Sequence, residues 1–354
     1  MYYLFYAVTI LIGALVNKKN KITTFLLFFL MSLFCILRDK NVDRDYPNYY
    51  YLWYVNIKEL KYYFTEPFSK IIFTYSYELG ISYLIVLFVF SSISILPKLI
   101  VINRLNGSLA IFLSVYIGYF YWQHDMTQIR VSAALGLTFI AYYYLLTGNK
   151  IKSLIITLFA ICFHTSAILT GIMYFVNGDR RTLPYYVMIM IFLFAFSFAG
   201  LNVSTFIQYI IDSTPLLHKY QFYFSTEWSE QSINVFSFTN ISILLITIVG
   251  AFYLYSKGDK IIGNTYNIKA IIIALKLSII GLASIPLLSS VPVAAFRISQ
   301  VLLVFYPLFL SLSYNLFTKH SRKIIFFFIF IYGIALTYAV VDNAKILEAY
   351  STIL

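Results

Sequence analysis

Charge is what this chain has least of. Asp, Glu, Lys and Arg make up 11% of its 354 residues, where soluble domains carry roughly 25%. That scarcity excludes an ordinary solvated globular surface. Cysteine is almost missing as well. Cys35 and Cys162 both lie in apolar segments, far from any metal-ligand spacing, which argues against a disulfide framework or a zinc site. The chain also lacks a phosphate-cradling GxxxxGK(S/T) loop, a dinucleotide-binding glycine pattern and an HExxH pair. Linkers, low-complexity tails and internal repeats are missing too, so residues 1–354 are expected to form one transmembrane domain. Acids are outnumbered 14 to 26 by Lys and Arg, for a net charge of +12. In a chain this apolar, the distribution of that excess matters more than its total, and no nucleic-acid partner is expected.

What the chain has in abundance is apolar and aromatic sequence, at 61% and 20% of residues. Repeated apolar runs of about 18 to 22 residues mark a polytopic all-α integral membrane protein. The runs cover about 2–16, 22–37, 80–96, 109–122, 129–147, 154–176, 183–201, 235–255, 270–288, 294–317 and 324–341. The first lacks a basic n-region and an Ala-x-Ala site, and is read as a retained helix. Strict alternation of these runs would place Asp179-Arg180-Arg181 outside and reverse every later loop, against the positive-inside rule. A broken, re-entrant helix at His164-Thr165-Ser166 removes the conflict, because irregular backbone at membrane depth is tolerated where protein covers it.

About ten full spans then remain, within an expected total of 10–12 transmembrane helices, and both termini lie outside. The cytoplasmic loops take Lys18, Lys19, Lys21, Lys98, Arg104, Lys150, Lys152, Arg180, Arg181, Lys257, Lys260, Lys269, Lys319, Arg322 and Lys323, with Asp179 and Asp259 as their only acids. Two longer outer-face loops, about 38–79 and 202–234, are rich in aromatic residues and suit short interfacial helices.

The polar residues left near membrane depth or at helix ends are the candidates for chemistry. Arg38 and Arg44 follow the second run, Arg130 opens the fifth, and Arg297 opens the next-to-last after Ser289-Ser290-Val291-Pro292. Guanidinium stays charged and grips phosphate with paired N–H groups, so arginines at outer helix ends suit a diphosphate at the bilayer surface. A helix N-terminus at Ile129 adds partial positive charge. The plainer alternative for each arginine is snorkelling or a local ion pair. Arg38 has Asp39 beside it and Arg44 lies between Asp43 and Asp45, whereas Arg130 and Arg297 have no adjacent acid.

His164 is of the type that serves as a general base or donor, or equally that caps the broken helix together with Ser166. Lys276 lies mid-run, where it either meets an anion or snorkels to the cytoplasm. Asp45, Glu66 and Asp125 are outer-face carboxylates, each of a kind able to take a proton from a sugar hydroxyl.

Five stretches, in order, resemble the EpsG family of Wzy-like bacterial polysaccharide polymerases. They are Val42-Asp43-Arg44-Asp45-Tyr46-Pro47-Asn48-Tyr49, Glu66-Pro67-Phe68, Gln128-Ile129-Arg130-Val131-Ser132-Ala133-Ala134, Phe163-His164-Thr165-Ser166-Ala167, and Phe296-Arg297 before an apolar run. The resemblance covers nearly the whole chain. Asp43 stands where the family usually has glycine, and Val131 where it often has glutamine.

The resemblance implies a glycosyltransferase of the bacterial inner membrane that joins repeat units of O-antigen or capsular/exopolysaccharide on the outer face. Donor and acceptor would both be oligosaccharides on undecaprenyl diphosphate. Arg130, Arg297, Arg44 and Arg38 would bind the diphosphate, Asp45 or His164 would activate the acceptor hydroxyl, and Gln128, Tyr49, Glu66 and Lys276 are further candidates. No metal and no cofactor is expected. A chain-length-regulating membrane protein is an expected partner beside the lipid bilayer. The rivals are a ligase with the same donor, a flippase for the lipid-linked oligosaccharide, and a non-catalytic scaffold.

Overall fold

The computed structural model describes residues 1–15, 21–54, 66–201, 209, 212–213, 233–257 and 265–353. Most of the expected 202–234 loop therefore lies outside the described residues. Every named element is a helix. In chain order they are α1 (Tyr2–Leu15), α2 (Lys21–Ile36), α3 (Tyr46–Tyr54), α4 (Pro67–Glu78), α5 (Tyr83–Arg104), α6 (Leu109–Val115), α7 (Trp122–His124), α8 (Ile129–Leu146), α9 (Lys150–Phe163), α10 (Leu183–Phe198), α11 (Phe238–Lys257), α12 (Thr265–Leu287), α13 (Pro292–Leu303), α14 (Phe305–Ser313) and α15 (Lys319–Tyr338). A π-helical turn, Tyr116–Tyr121, carries α6 into α7.

Among the described residues, seven helical segments are long and apolar enough to cross a membrane, and α1 and α2 are shorter apolar helices. Large apolar side chains are exposed along α9 (Leu154, Leu158), α10 (Met188, Phe192), α11 (Val249, Phe252) and α15 (Phe327, Phe328). Apolar faces left open on this scale suit contact with lipid rather than water. The protein is a multi-pass all-α membrane protein.

Local sequence explains where the helices start. Ser82 and Asn149 accept hydrogen bonds from Leu84 N and Lys152 N at the starts of α5 and α9, and Thr318 accepts from Ser321 N at the start of α15. Each satisfies an amide that the helix leaves without a partner. Pro67 and Pro292 open α4 and α13, where the missing N–H costs nothing. The run containing His164 is broken at that residue. α9 ends with His164 extended at φ −157° and ψ 128°, and the chain resumes as a 3-10 helix, Thr165–Tyr174.

The chain divides into two compact units, one of residues Met1–Gly171 and Pro307–Leu354 and the other of Ile172–Tyr306. In the first, α8 packs between α5 and α9. Gly136 lets it approach α5 closely, as small residues do where membrane helices meet. A Cβ on Gly136 would stand 2.1 Å from the Ile93 carbonyl oxygen and 2.7 Å from Ser94 Cα. Both are backbone atoms that cannot swing aside. Gly136→Ala is therefore expected to force α5 and α8 apart at a cost of about 1–3 kcal/mol, seen as a lower thermal midpoint of the detergent-solubilised protein. An unchanged midpoint would show that this contact is not as tight as it looks.

The C-terminal tail returns to the loop after α2. Arg38 pairs with Thr352 and Asp43 with Leu347 in single antiparallel bridges, and Tyr2 donates to the Glu348 carbonyl. The start of α1, the end of α2 and the C-terminal tail thus meet at one end of this unit, the end the charge pattern assigns to the outer face. In the second unit, α12 packs against α10, α11 and α13.

Candidate functional site

Three stretches far apart in sequence meet at that end of the first unit. Arg130, in the first turn of α8, places Nη1 3.0 Å from Glu66 Oε2. Glu66 occupies the N-cap position of α4. Its other oxygen accepts from the Thr165 backbone and hydroxyl, both at 3.4 Å, and lies 4.0 Å from His164 Nε2. Tyr49 of α3 lies beneath the guanidinium, with the ring centroid 5.7 Å from Cζ. Arg130 and His164 are partly open, their side chains 19% and 17% exposed, while Glu66 is nearly covered at 6%.

The helix break holds the histidine. Ser166 N donates to His164 Nδ1 at 3.2 Å, and the Ser166 hydroxyl lies 2.7 Å from the same nitrogen. An amide can only donate, so Nδ1 is an acceptor and the neutral ring carries its proton on Nε2, towards Glu66. Phe163 anchors the break from below. Its carbonyl accepts from Ser69 Oγ of α4 at 2.8 Å, and its ring packs in a core with Phe73, Phe90, Ala133 and Ala160. Burial pushes the Glu66 carboxyl up, but the Arg130 guanidinium, His164 and the Thr165 amide outweigh it, and the carboxyl is held below its ordinary value of 4.5. Glu66 is thus an anion that orients a cation and an imidazole N–H.

Arg130 has no acid beside it in sequence, yet its partner is Glu66, 64 positions away. Arg38 is sealed, at 0% exposure, in an ion pair with Asp43 of 2.6 Å. It also donates to the Cys35 carbonyl and lies over the Tyr46 ring. The partner is Asp43, not the adjacent Asp39, and no face of this guanidinium is open to a ligand. Asp43 also accepts from Asp45 N and Tyr46 N, at 2.9 and 2.8 Å, and so starts α3. Asp43 thus holds the loop together through its own side chain. Arg44 is exposed and donates to the Lys345 carbonyl at 3.0 Å. Asp45 accepts from Tyr49 N at 3.0 Å through its carbonyl, one turn before the ring under Arg130. Gln128 precedes α8, with its amide bonded to the Gln123 carbonyl.

The remaining two candidates belong to the second unit. Arg297 is exposed on α13. Lys276 of α12 is buried and donates to Asn177 O and Oδ1, Asp179 O and Thr182 Oγ1. It clasps the 177–182 loop, the one that carries Arg180 and Arg181.

Two charges are not where the sequence places them. Lys98 is expected in a cytoplasmic loop, but α5 continues through Pro97 and Lys98 to Arg104. Asp125 is expected on the outer surface, but is 2% exposed. The two form a buried pair at 3.8 Å. Lys98 also donates to Ser94 at 2.5 Å and Tyr116 at 2.6 Å. Asp125 accepts from Ser94 at 2.5 Å, Ser132 at 2.7 Å and Tyr116. The network ties α5, the π turn and α8 together immediately before Arg130. A signal was available: Leu99-Ile100-Val101-Ile102 continues the apolar run beyond Lys98. Asp125 carried none, since its partner lies on another helix.

The sequence profile of the EpsG family matches residues 3–352. The chain belongs to the EpsG family. No curated protein and no solved structure matches it. This EpsG-family chain is accordingly a membrane protein of a family tied to exopolysaccharide biosynthesis. The match spans all five stretches singled out in the sequence, four of which belong to the first unit.

Proposed function

We propose that this protein is a glycosyltransferase that polymerises lipid-diphosphate-linked oligosaccharide repeat units into O-antigen or capsular/exopolysaccharide on the outer face of the bacterial inner membrane. The observation that carries the reading is the meeting of Arg130, Glu66 and His164, from three distant stretches, at a partly open position beside Tyr49. An orienting carboxylate behind a guanidinium and an imidazole N–H is a set of donors built for an anion.

In this reading the acceptor hydroxyl attacks the anomeric carbon of the donor, and the bond from that carbon to the diphosphate oxygen breaks. The electron pair leaves with the lipid diphosphate. Arg130 opposes the charge that develops there, and the neutral His164 donates a hydrogen bond to it through Nε2–H. The hydroxyl proton passes to a carboxylate, and in this reading Asp45, which precedes the helix that carries Tyr49, takes it. His164 suits the donor's part better than the base's, because Nδ1 is held by the Ser166 amide. Arg44, exposed in the same unit, is a further candidate to meet the lipid-linked substrate. A chain-length regulator in the same membrane would set how many units are added.

The test is reconstitution of the purified protein in liposomes with lipid-diphosphate-linked repeat units of its native glycan and no sugar nucleotide. A ladder of lengthening products is expected. Transfer of single units to a foreign acceptor would make it a ligase. Movement of the unit across the bilayer without a new bond would make it a flippase.

A further inference from the structure

The same helix that presents Tyr49 to Arg130 presents a second face to a cleft that the reaction scheme leaves unused. Tyr46, Tyr50, Tyr51 and Tyr54 of α3 line it on one side, and Asp39, Lys40 and Asn41 on the other. Its volume is about 540 Å³, within the range of small-molecule sites. Tyr50, Tyr51 and Tyr54 are 45%, 51% and 60% exposed.

The composition selects the partner. The exposed Tyr50 and Tyr54 lie four residues apart, about 6 Å along the helix axis, a spacing comparable to the advance of one pyranose ring, while the buried Tyr46 closes the floor of the cleft. A flat ring offers its face to the C–H side of a sugar, while its hydroxyl stays available for hydrogen bonding. The facing carboxylate, ammonium and amide match the hydroxyls at the sugar's edge. An acyl chain finds no match here, because it would strip water from Asp39 and Lys40 with nothing in return. A free phosphate would meet a carboxylate beside the ammonium.

The wall is held in place. Asp39 N donates to the Ser351 carbonyl and Ile353 N to the Leu37 carbonyl, at 2.9 and 3.1 Å, so the C-terminal tail braces the polar side. Asn41 N bonds to Asp39 Oδ1 at 3.0 Å.

We infer that this tyrosine cleft is a glycan subsite that holds a neutral stretch of the oligosaccharide while its reacting end lies at Arg130, Glu66 and His164. The inference rests on the polymerase reading of that site and adds where the sugars, rather than the diphosphate, are recognised.

The probe is the delipidated repeat-unit oligosaccharide of the native glycan, added to the full-length protein in nanodiscs and followed by saturation-transfer NMR and titration. Tyr50→Ala/Tyr54→Ala is expected to weaken binding tenfold or more with an unchanged thermal midpoint. Tyr50→Phe/Tyr54→Phe, which keeps the stacking faces, is expected to retain most of the affinity. In the reconstituted reaction the alanine pair is expected to raise KM for the acceptor more than it lowers kcat. Should the alanine pair misfold, Lys40→Ala on the facing wall is expected to weaken binding several-fold.

Equal affinity in parent and variants, or displacement of the oligosaccharide by phosphatidylglycerol in the nanodisc, overturns the cleft. A parent protein that makes a ladder but binds no oligosaccharide here overturns the cleft and leaves the polymerase standing. A parent that binds the oligosaccharide through these tyrosines but makes no ladder keeps the cleft and removes the polymerase.

Discussion

Asp125→Ala is expected to leave little folded protein in the membrane. Asp125 and Lys98 are 3.8 Å apart with side chains 0% and 1% exposed, so the alanine leaves an ammonium ion buried without its counter-charge. Breaking one side of such a pair costs about 3–5 kcal/mol, against a total stability of about 5–15 kcal/mol for a typical domain. Ser94, Ser132 and Tyr116 lose a shared acceptor in the same step.

The double replacement Lys98→Met/Asp125→Leu removes both charges and is expected to recover a large part of the loss, as apolar pairs of similar volume often do. Yield and thermal midpoint by fluorescence-detected size exclusion measure both. An Asp125→Ala protein as stable as the parent, or a double variant no better than the single one, would show that the network does not hold α5 and α8. Because the network lies directly before α8, the recovered double variant also asks whether Arg130 needs this support. A correct midpoint with reduced kcat would separate positioning from folding.

Arg130→Ala is expected to reduce the glycan ladder of a complemented polymerase-deficient strain to the single repeat unit, with expression and insertion matched to the parent. Removing one donor from developing negative charge typically lowers kcat by about 10²–10³. Arg130→Lys is expected to restore only part of it, because a lysine lacks the planar fork and cannot keep both the Glu66 contact and a bidentate phosphate contact. A normal ladder from Arg130→Ala would remove the diphosphate role.

Glu66→Gln should act through pH as well. The Glu66 carboxyl is held below 4.5 in the folded protein, so the unfolded chain binds the proton first as the medium is acidified. The stability that this carboxylate contributes is fully present above the ordinary glutamate value and is lost as pH falls through the lowered folded one. Thermal midpoints measured from about pH 6 to about pH 3 should fall less steeply in Glu66→Gln than in the parent. Parallel curves would mean that the pair does not stabilise the fold.

Hydropathy and charge placement already marked the membrane class, the apolar runs and the break at His164, and the helix does end there. These are properties that each residue carries with it: an apolar side chain prefers lipid, and a Lys or Arg prefers the cytoplasmic side, whatever its neighbours are. The five short stretches of the sequence likewise pointed to Arg130, His164, Glu66 and Tyr49. What no stretch could state was who pairs with whom. Asp45, Glu66 and Asp125 looked interchangeable as bases, and Arg38 looked paired with the adjacent Asp39. Yet Asp43 is sealed against Arg38, Asp125 is buried with Lys98, and Glu66 orients Arg130.

Those roles depend on which helix ends meet, and a pair energy depends on a distance that the order of residues does not contain. The apolar spans, the charge asymmetry and the break were therefore the sequence's own to determine. The tertiary structure alone decided which arginine is closed and which stays open, because only packing sets the separation at which two charges, or a ring and a guanidinium, come to interact.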